Sequence, residues 1–282
     1  HQEATREVKE IFENNQYFDT PKPIRLINRI IELSTQPNTN DIILDFFAGS
    51  ATTGHAVINK NKEEGGNRKF ILVQLPELTD ENSEAYKAGY KTIADISKER
   101  IRRVIKKIEK EKAEINKERE SELKFGNHEN QDNQKNQGSD NGFKVFKLAP
   151  SNFKIWRGNE ITEENLVQQL EVFTNPVSDG SLEKNMLYEL MLKAGYQLTD
   201  KVEATNILWD NFDAGCEINY YSIADNELII ILDVIDESTV LAVINAKPKK
   251  VITLDSLFAG NDQLKTNTVL QMRDAGVEFK TI

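Results

Sequence analysis

Residues 41–55 read DIILDFFAGSATTGH: an apolar run of strand length, a turn of small residues, and the first turn of a helix. The runs at 42–47 and 70–75 are of the kind shown by parallel strands covered on both faces. Residues 52–61 between them fit a crossover helix, so the spacing predicts a βαβ unit. Gly49, Ala51 and Gly54 align with the dinucleotide-binding fingerprint, with alanine in place of its second glycine. That glycine lets the backbone approach a pyrophosphate, so alanine suits a ligand without phosphates. Asp45, at the carboxyl end of the first strand, is placed to accept a hydrogen bond from an ammonium and would repel a pyrophosphate. Small residues also serve plain packing at a strand–turn–helix junction, and the loop alone leaves both readings open.

Upstream, residues 18–24 read FDTPKPI. Pro23 opens a helix predicted over 23–34, in which Ile24, Ile27 and Ile31 recur at helical spacing. Thr20 and Lys22 therefore place a hydroxyl and an ammonium beside a helix start whose dipole attracts anions, and a carboxylate suits that position. Lys22 alone reads as a solvated lysine; its succession with Asp45-x-Phe47-x-Gly49-Ser50 is what gives it weight.

On these residues the chain resembles the permuted, beta-group amino-methyltransferases of DNA, in particular the modification subunits of type III restriction-modification systems. In that group a lysine–proline motif precedes a Phe-x-Gly motif, as Thr20 to Pro23 precede Phe47 to Gly49 here. The resemblance continues through 70–77 (FILVQLPE), 89–104 (GYKTIADISKERIRRV), 143–158, 187–199 and 258–282. It implies an α/β fold: a partial, permuted, Rossmann-like S-adenosylmethionine-dependent methyltransferase core followed by a C-terminal mixed α/β domain. The implied activity is adenine-N6 methylation of DNA. By the same resemblance Thr20, Lys22 and Pro23 meet the methionine carboxylate and Asp45 the amino group, while Phe47, Ala48, Gly49, Ser50, Thr52 and Thr53 line the cofactor. Many relatives carry an acidic residue for the ribose hydroxyls where Gln74 stands here, and both Gln74 and Glu77 are kept as ribose ligands, with Glu77 reading equally as a solvated residue after Pro76.

The implied partners are double-stranded DNA, a second modification subunit in a homodimer, and a restriction subunit, in a bacterial cytoplasm. Amino-methyltransferases hold a flipped-out base with an Asp-Pro-Pro-Tyr-like motif, and these 282 residues contain none. In the permuted order that motif lies upstream with the target-recognition region, and His1 as the first residue suggests an internal start. No catalytic residue is therefore assigned, and the isolated chain is expected not to methylate DNA.

With 38% hydrophobic and 29% charged residues the composition is that of a soluble globular protein, and no apolar run approaches membrane-spanning length. One cysteine, Cys216, excludes a disulfide framework and suits a reducing compartment. The three histidines, His1, His55 and His128, are far apart, so no metal site is predicted. A net charge of −10 argues against phosphate binding by the whole surface. The basic run 98–117 is interleaved with Glu99, Glu109, Glu111 and Glu114, which favours a solvated helix over a DNA-facing one.

Residues 126–142 (GNHENQDNQKNQGSDNG) hold no apolar residue and read as a flexible linker between domains at 1–125 and 143–282. In the second domain, strands are predicted at 143–148, 204–209, 217–223, 227–234, 240–245, 251–254 and 277–282. Helices are predicted at 182–194 and 262–275, capped by Gly195, Asn261 and Gly276, with a closing βαβ unit. Asn261 as a cap also accounts for 258–268 (FAGNDQLKTNT) without a second nucleotide site. The alternative to an enzyme is a non-catalytic assembly module that binds a restriction subunit or a second modification subunit. A nicotinamide-dependent dehydrogenase needs glycine at 51 and a better-placed acid than Gln74.

Overall fold

A computed structural model describes residues 2–123, 142–154, 162, 166, 167, 170, 176–207 and 218–282. Most of the expected linker, together with His1, His128 and Cys216, lies outside the described residues. The chain divides into two compact units, His1–Phe143 and Lys144–Ile282. Among the described residues no helix is long and apolar enough to cross a membrane.

The first unit runs α1 (Gln2–Ile11), α2 (Ile24–Ser34), β1 (Ile42–Asp45), α3 (Thr52–Glu64), β2 (Lys69–Leu72), α4 (Glu84–Lys87) and α5 (Ile93–Leu123). Strands β1 and β2 pair in parallel, from Ile42 opposite Lys69 to Asp45 opposite Leu72, with α3 as the crossover. The expected βαβ unit is present. Side chains alternate across the pair. Ile43 and Phe70 pack on Ile31, Ala56 and Val57 of α2 and α3, and Phe70 and Leu72 also join Ile58, Ile101, Val104 and Ile108 of α3 and α5.

The opposite face carries Ile42, Leu44 and Ile71, each about half exposed, continued past the strand ends by Phe46, Val73 and Leu75. Strands covered on both faces were expected, and in this unit the described helices α2, α3 and α5 cover only one. The apolar run records what a strand is suited to face, whereas the layers present depend on the rest of the protein.

The basic stretch of α5 is heavily paired: Arg103 with Glu99 at 2.8 Å and with Glu13 at 3.2 Å, Lys110 with Glu114 at 3.8 Å, and Lys62 of α3 with Glu111. These pairs offset the positive charge that a DNA-facing helix would present.

The second unit contains α6 (Glu183–Lys193), β3 (Val202–Ile207), β4 (Ile218–Ile223), β5 (Leu228–Ile231), α7 (Glu237–Asn245), β6 (Lys250–Thr253), a 3-10 turn (Asp255–Phe258), α8 (Asp262–Asp274) and β7 (Glu278–Thr281). The strands form one sheet in the order β3-β4-β5-β6-β7. The first two pairings are antiparallel and the last two parallel, so α8 closes the expected βαβ unit. Here the sheet is covered on both faces. Met186, Leu187, Leu190 and Met191 of α6 pack on Ile223, Leu228, Ile230 and Ile252, while Val240, Val243 and Met272 of α7 and α8 pack on Ile229, Ile231 and Val251.

Two strand expectations fail. Residues 240–245 belong to the helix α7, whose amino end is capped by Asp236 accepting from the Thr239 amide at 2.8 Å. Its β-branched residues resemble a strand, but β5 and β6 are parallel and need a crossover between them. Residues 143–148 form no strand, and Phe143 packs instead in the first unit near Ile101 and Val104. The caps agree with expectation: Asn261 accepts from the Leu264 amide at 2.9 Å, and Gly195 and Gly276 take positive φ of 89° and 74°.

Glu189 of α6 ties down the segment before it, accepting from the Asn152 amide at 2.7 Å, from the Asn152 side chain at 2.8 Å, and from the Ser151 hydroxyl. Burial alone would raise its carboxyl, but hydrogen bonds from Lys193, Ser151 and Asn152 outweigh it and hold the group at about 2. A depressed carboxylate stabilises the folded state above its unfolded value, and that stability is lost as pH falls through the folded one. Glu189→Gln is expected to cost roughly 3 kcal/mol at neutral pH. Chemical denaturation across pH checks this: the gap from the unsubstituted protein should close between pH 4.5 and about 2, and a constant gap would refute it.

Candidate functional site

The carboxyl end of β1 leads into a turn closed by the Ala51 amide on the Ala48 carbonyl at 2.7 Å. Gly49 and Ala51 both take left-handed φ, of 52° and 61°. At Gly49 a side chain would be strained by the positive φ, and its Cβ, 3.3 Å from the Phe18 ring, would press that ring aside. Ala51 is wholly buried, with its methyl group among Ile58, Ile101 and Val104. Core packing therefore decides its size, and its replacement of the fingerprint glycine no longer discriminates between ligands. Gly54 lets α3 approach the sheet: a Cβ there would lie 2.9 Å from both Leu72 and Ile101.

Asp45 organises the turn. One carboxylate oxygen accepts from the Phe47 amide at 3.0 Å and the other from the Thr53 hydroxyl at 2.6 Å. Opposite, the Gln74 side-chain oxygen accepts from the Gly49 amide at 2.8 Å, joining the end of β2 to the loop. The Ser97 hydroxyl of α5 donates to the Gly49 carbonyl. The fully buried Arg100 of α5 donates to the Ser50 carbonyl at 3.2 Å, the Ser50 hydroxyl at 2.9 Å and the Thr52 hydroxyl at 2.9 Å. Ser50, Thr52 and Thr53 thus use their hydroxyls within the protein, and what they offer a ligand is the unpaired amides of a helix start.

The structure brings Asp45, Phe47, Ala48, Gly49, Ser50, Thr52, Thr53 and Gln74 together around one turn. Phe47 is 86% exposed. Thr20 and Lys22 are exposed on the segment before α2, and Phe18 against Gly49 carries that segment next to the loop. Pro23 is the residue before α2, and the anion at this helix start is Glu7, whose carboxylate accepts from the Ile24 amide at 3.0 Å. Glu77 is exposed, and its backbone carbonyl accepts from the Ile93 amide at 2.9 Å.

Four residues escaped the sequence reading: Glu7, Phe18, Ser97 and Arg100. A signal existed for two of them, because Ser97 and Arg100 fall on the buried helical stripe that includes Ile96, Ile101 and Val104, where a charged residue is out of place.

A parallel βαβ unit with an acid at the first strand end and a helix start beyond a glycine turn is an arrangement suited to a small ligand of the nucleotide or nucleoside kind. Residues 1–106 match the N6/N4 DNA methylase family, and this part of the chain is a DNA methylase domain. Among its relatives are modification subunits of type III restriction-modification enzymes. The EcoP15I Mod subunit of Escherichia coli is 32% identical over 274 residues, 95% of this chain and 36% of that protein. The StyLTI Mod subunit of Salmonella typhimurium is 48% identical over 106 residues, 38% of this chain and 16% of that protein. The type II methyltransferase M.KpnI of Klebsiella pneumoniae is 42% identical over 98 residues, 35% of this chain and 23% of that protein. The chain spans about a third or less of the length of these relatives.

Proposed function

We propose that the first unit is the S-adenosylmethionine-binding part of an adenine-N6 DNA methyltransferase, the modification subunit of a type III restriction-modification system. The observation that carries the reading is Asp45, held at the end of β1 by the Phe47 amide and the Thr53 hydroxyl in a turn that opens a helix. Its carboxylate retains acceptor capacity for the methionine ammonium. The exposed Lys22 and Thr20 and the helix-start amides suit the methionine carboxylate. Gln74, whose oxygen is engaged by Gly49 and whose amide nitrogen donates to the Leu75 carbonyl at 3.3 Å, offers the ribose its remaining amide hydrogen, and Glu77 is the alternative acceptor.

When bound, S-adenosylmethionine supplies the electrophilic methyl group. The Asp-Pro-Pro-Tyr motif that presents an adenine to it does not occur in these 282 residues. The bare face of β1 and β2 suits the further layers such a reading requires. Double-stranded DNA, a second modification subunit and a restriction subunit in the bacterial cytoplasm are the partners of the intact enzyme.

Calorimetry with S-adenosylmethionine should show saturable one-to-one binding to the 282-residue polypeptide and none with a nicotinamide dinucleotide; the reverse preference would overturn the reading. Labelled methyl transfer to adenine by this polypeptide alone should be absent, and its detection would place the catalytic group within these residues. The second unit has a core of its own on both sheet faces, which suits a part separable from cofactor binding, and its proposed role is assembly. Deleting it should abolish complex formation with a modification or restriction subunit and spare cofactor binding.

A further inference from the structure

Arg100 is fully buried yet makes no ion pair among the described residues. A buried guanidinium is costly unless its donors are all used, and here they are spent on neutral acceptors of one small region. Besides Ser50 and Thr52, they reach the ring nitrogen Nδ1 of the buried His55, with Nε at 3.3 Å and Nη2 at 3.2 Å. Guanidinium has no acceptor, so His55 Nδ1 must be the acceptor and the ring is neutral with its proton on Nε2.

We propose that Arg100 is a positioning residue of the cofactor loop: one buried guanidinium ties Ser50, Thr52 and His55 together, so residues 49–53 hold their ligand-ready conformation before a ligand arrives. The inference rests on the cofactor reading above for its functional meaning and on the hydrogen bonds alone for its structural content. Its physical logic is pre-organisation. Gly49 and Ala51 are left-handed on either side of Ser50, an uncommon backbone state for Ala51, and interactions from outside the loop must hold it. Four come from α5, which donates from Ser97 to the Gly49 carbonyl and from Arg100 to the Ser50 carbonyl, the Ser50 hydroxyl and the Thr52 hydroxyl. The positive charge beneath the start of α3 also adds to the helix-end field that attracts a ligand anion.

His55 gives this clamp a readout of its own. Burial, then the charges of Arg100 and Lys107, push the imidazole down to about 3. The charged groups around it are Arg100, Lys107 and Glu111 on α5 and Lys62 and Glu63 on its own helix, while α1 contributes the apolar Ile11. Glu7 of α1 acts on Arg100 itself.

Arg100→Met and Arg100→Lys in the 282-residue chain test the clamp by amide hydrogen exchange without ligand, histidine NMR across pH, and calorimetry with S-adenosylhomocysteine. In Arg100→Met, exchange at residues 49–54 should quicken about 10- to 100-fold while residues 57–61 of the same helix keep their protection. The His55 protonation midpoint should rise, and S-adenosylhomocysteine should bind about 10- to 100-fold more weakly. Arg100→Lys keeps the charge with fewer directed donors and should restore part of both protection and affinity, which also decides the matter if the Met variant does not fold. Unchanged loop exchange and an unchanged His55 midpoint in both variants would overturn the clamp and leave the cofactor reading standing. A loop that Arg100→Met loosens, in a protein whose parent chain binds no S-adenosylhomocysteine, would uphold the clamp and overturn the cofactor reading.

Discussion

Asp45→Ala is expected to weaken S-adenosylmethionine binding by at least about 100-fold, because it removes both the partner of the ligand ammonium and the anchor of the turn. The two losses can be separated. Asp45→Asn keeps an oxygen that can accept from the Phe47 amide or the Thr53 hydroxyl, so the turn should persist while the charge is gone. Affinity should then lie between those of the parent and the alanine variant. Calorimetry with S-adenosylmethionine, with hydrogen exchange at residues 47–53 as the control for loop order, makes the measurement. Binding by Asp45→Ala within about threefold of the parent would remove this carboxylate from the site.

Gly54→Val is expected to lower the stability of the first unit. The first added carbon already lies 2.9 Å from the ends of Leu72 and Ile101, and Ile101 sits in a core with Val104 and Ile108. Overpacking a filled core costs about 1 to 3 kcal/mol, and valine adds two methyl groups beyond that first contact. For Gly54→Ala the same crowding is partly offset by roughly 1 kcal/mol of helix propensity. Thermal unfolding should therefore fall by several degrees for valine and by much less for alanine. An unchanged midpoint for Gly54→Val would show that α3 can move off the strand without consequence. Since the displacement carries Thr52 and Thr53 with it, the same variant should bind cofactor poorly even where it is still folded.

Both predictions start from residues that the sequence singles out, and the structure changes the reasons for some of them. Alanine at 51 suits a ligand without phosphates, but its methyl group is part of the core. The helix start beside Lys22 suits a carboxylate, and the carboxylate at its Ile24 amide is that of Glu7. The failed strand at 240–245 has the same origin: Val240 and Val243 suit a strand or a buried helix face equally, and the parallel pairing of β5 with β6 decides between them.

What the sequence by itself determined is everything carried by short spacing. The strand, turn and helix of 42–61, the acid at the strand end, and the caps at Asn261, Gly195 and Gly276 are each settled by contacts within a few residues, whereas the close packing of Gly54 depends on Leu72 and Ile101. Only the tertiary structure decided what holds the turn in place, since those partners are distant in the chain: Gln74 bonds a glycine 25 residues away, and Arg100 a serine 50 residues away. Only it shows that, among the described residues, β1 and β2, with the same continuous apolar runs as β5, are covered on one face while β5 is covered on two. Local patterns report the preferences of a segment, and burial is a property of whatever packs against it, so residues 41–55 specify a turn that can meet a ligand while α5 supplies its rigidity.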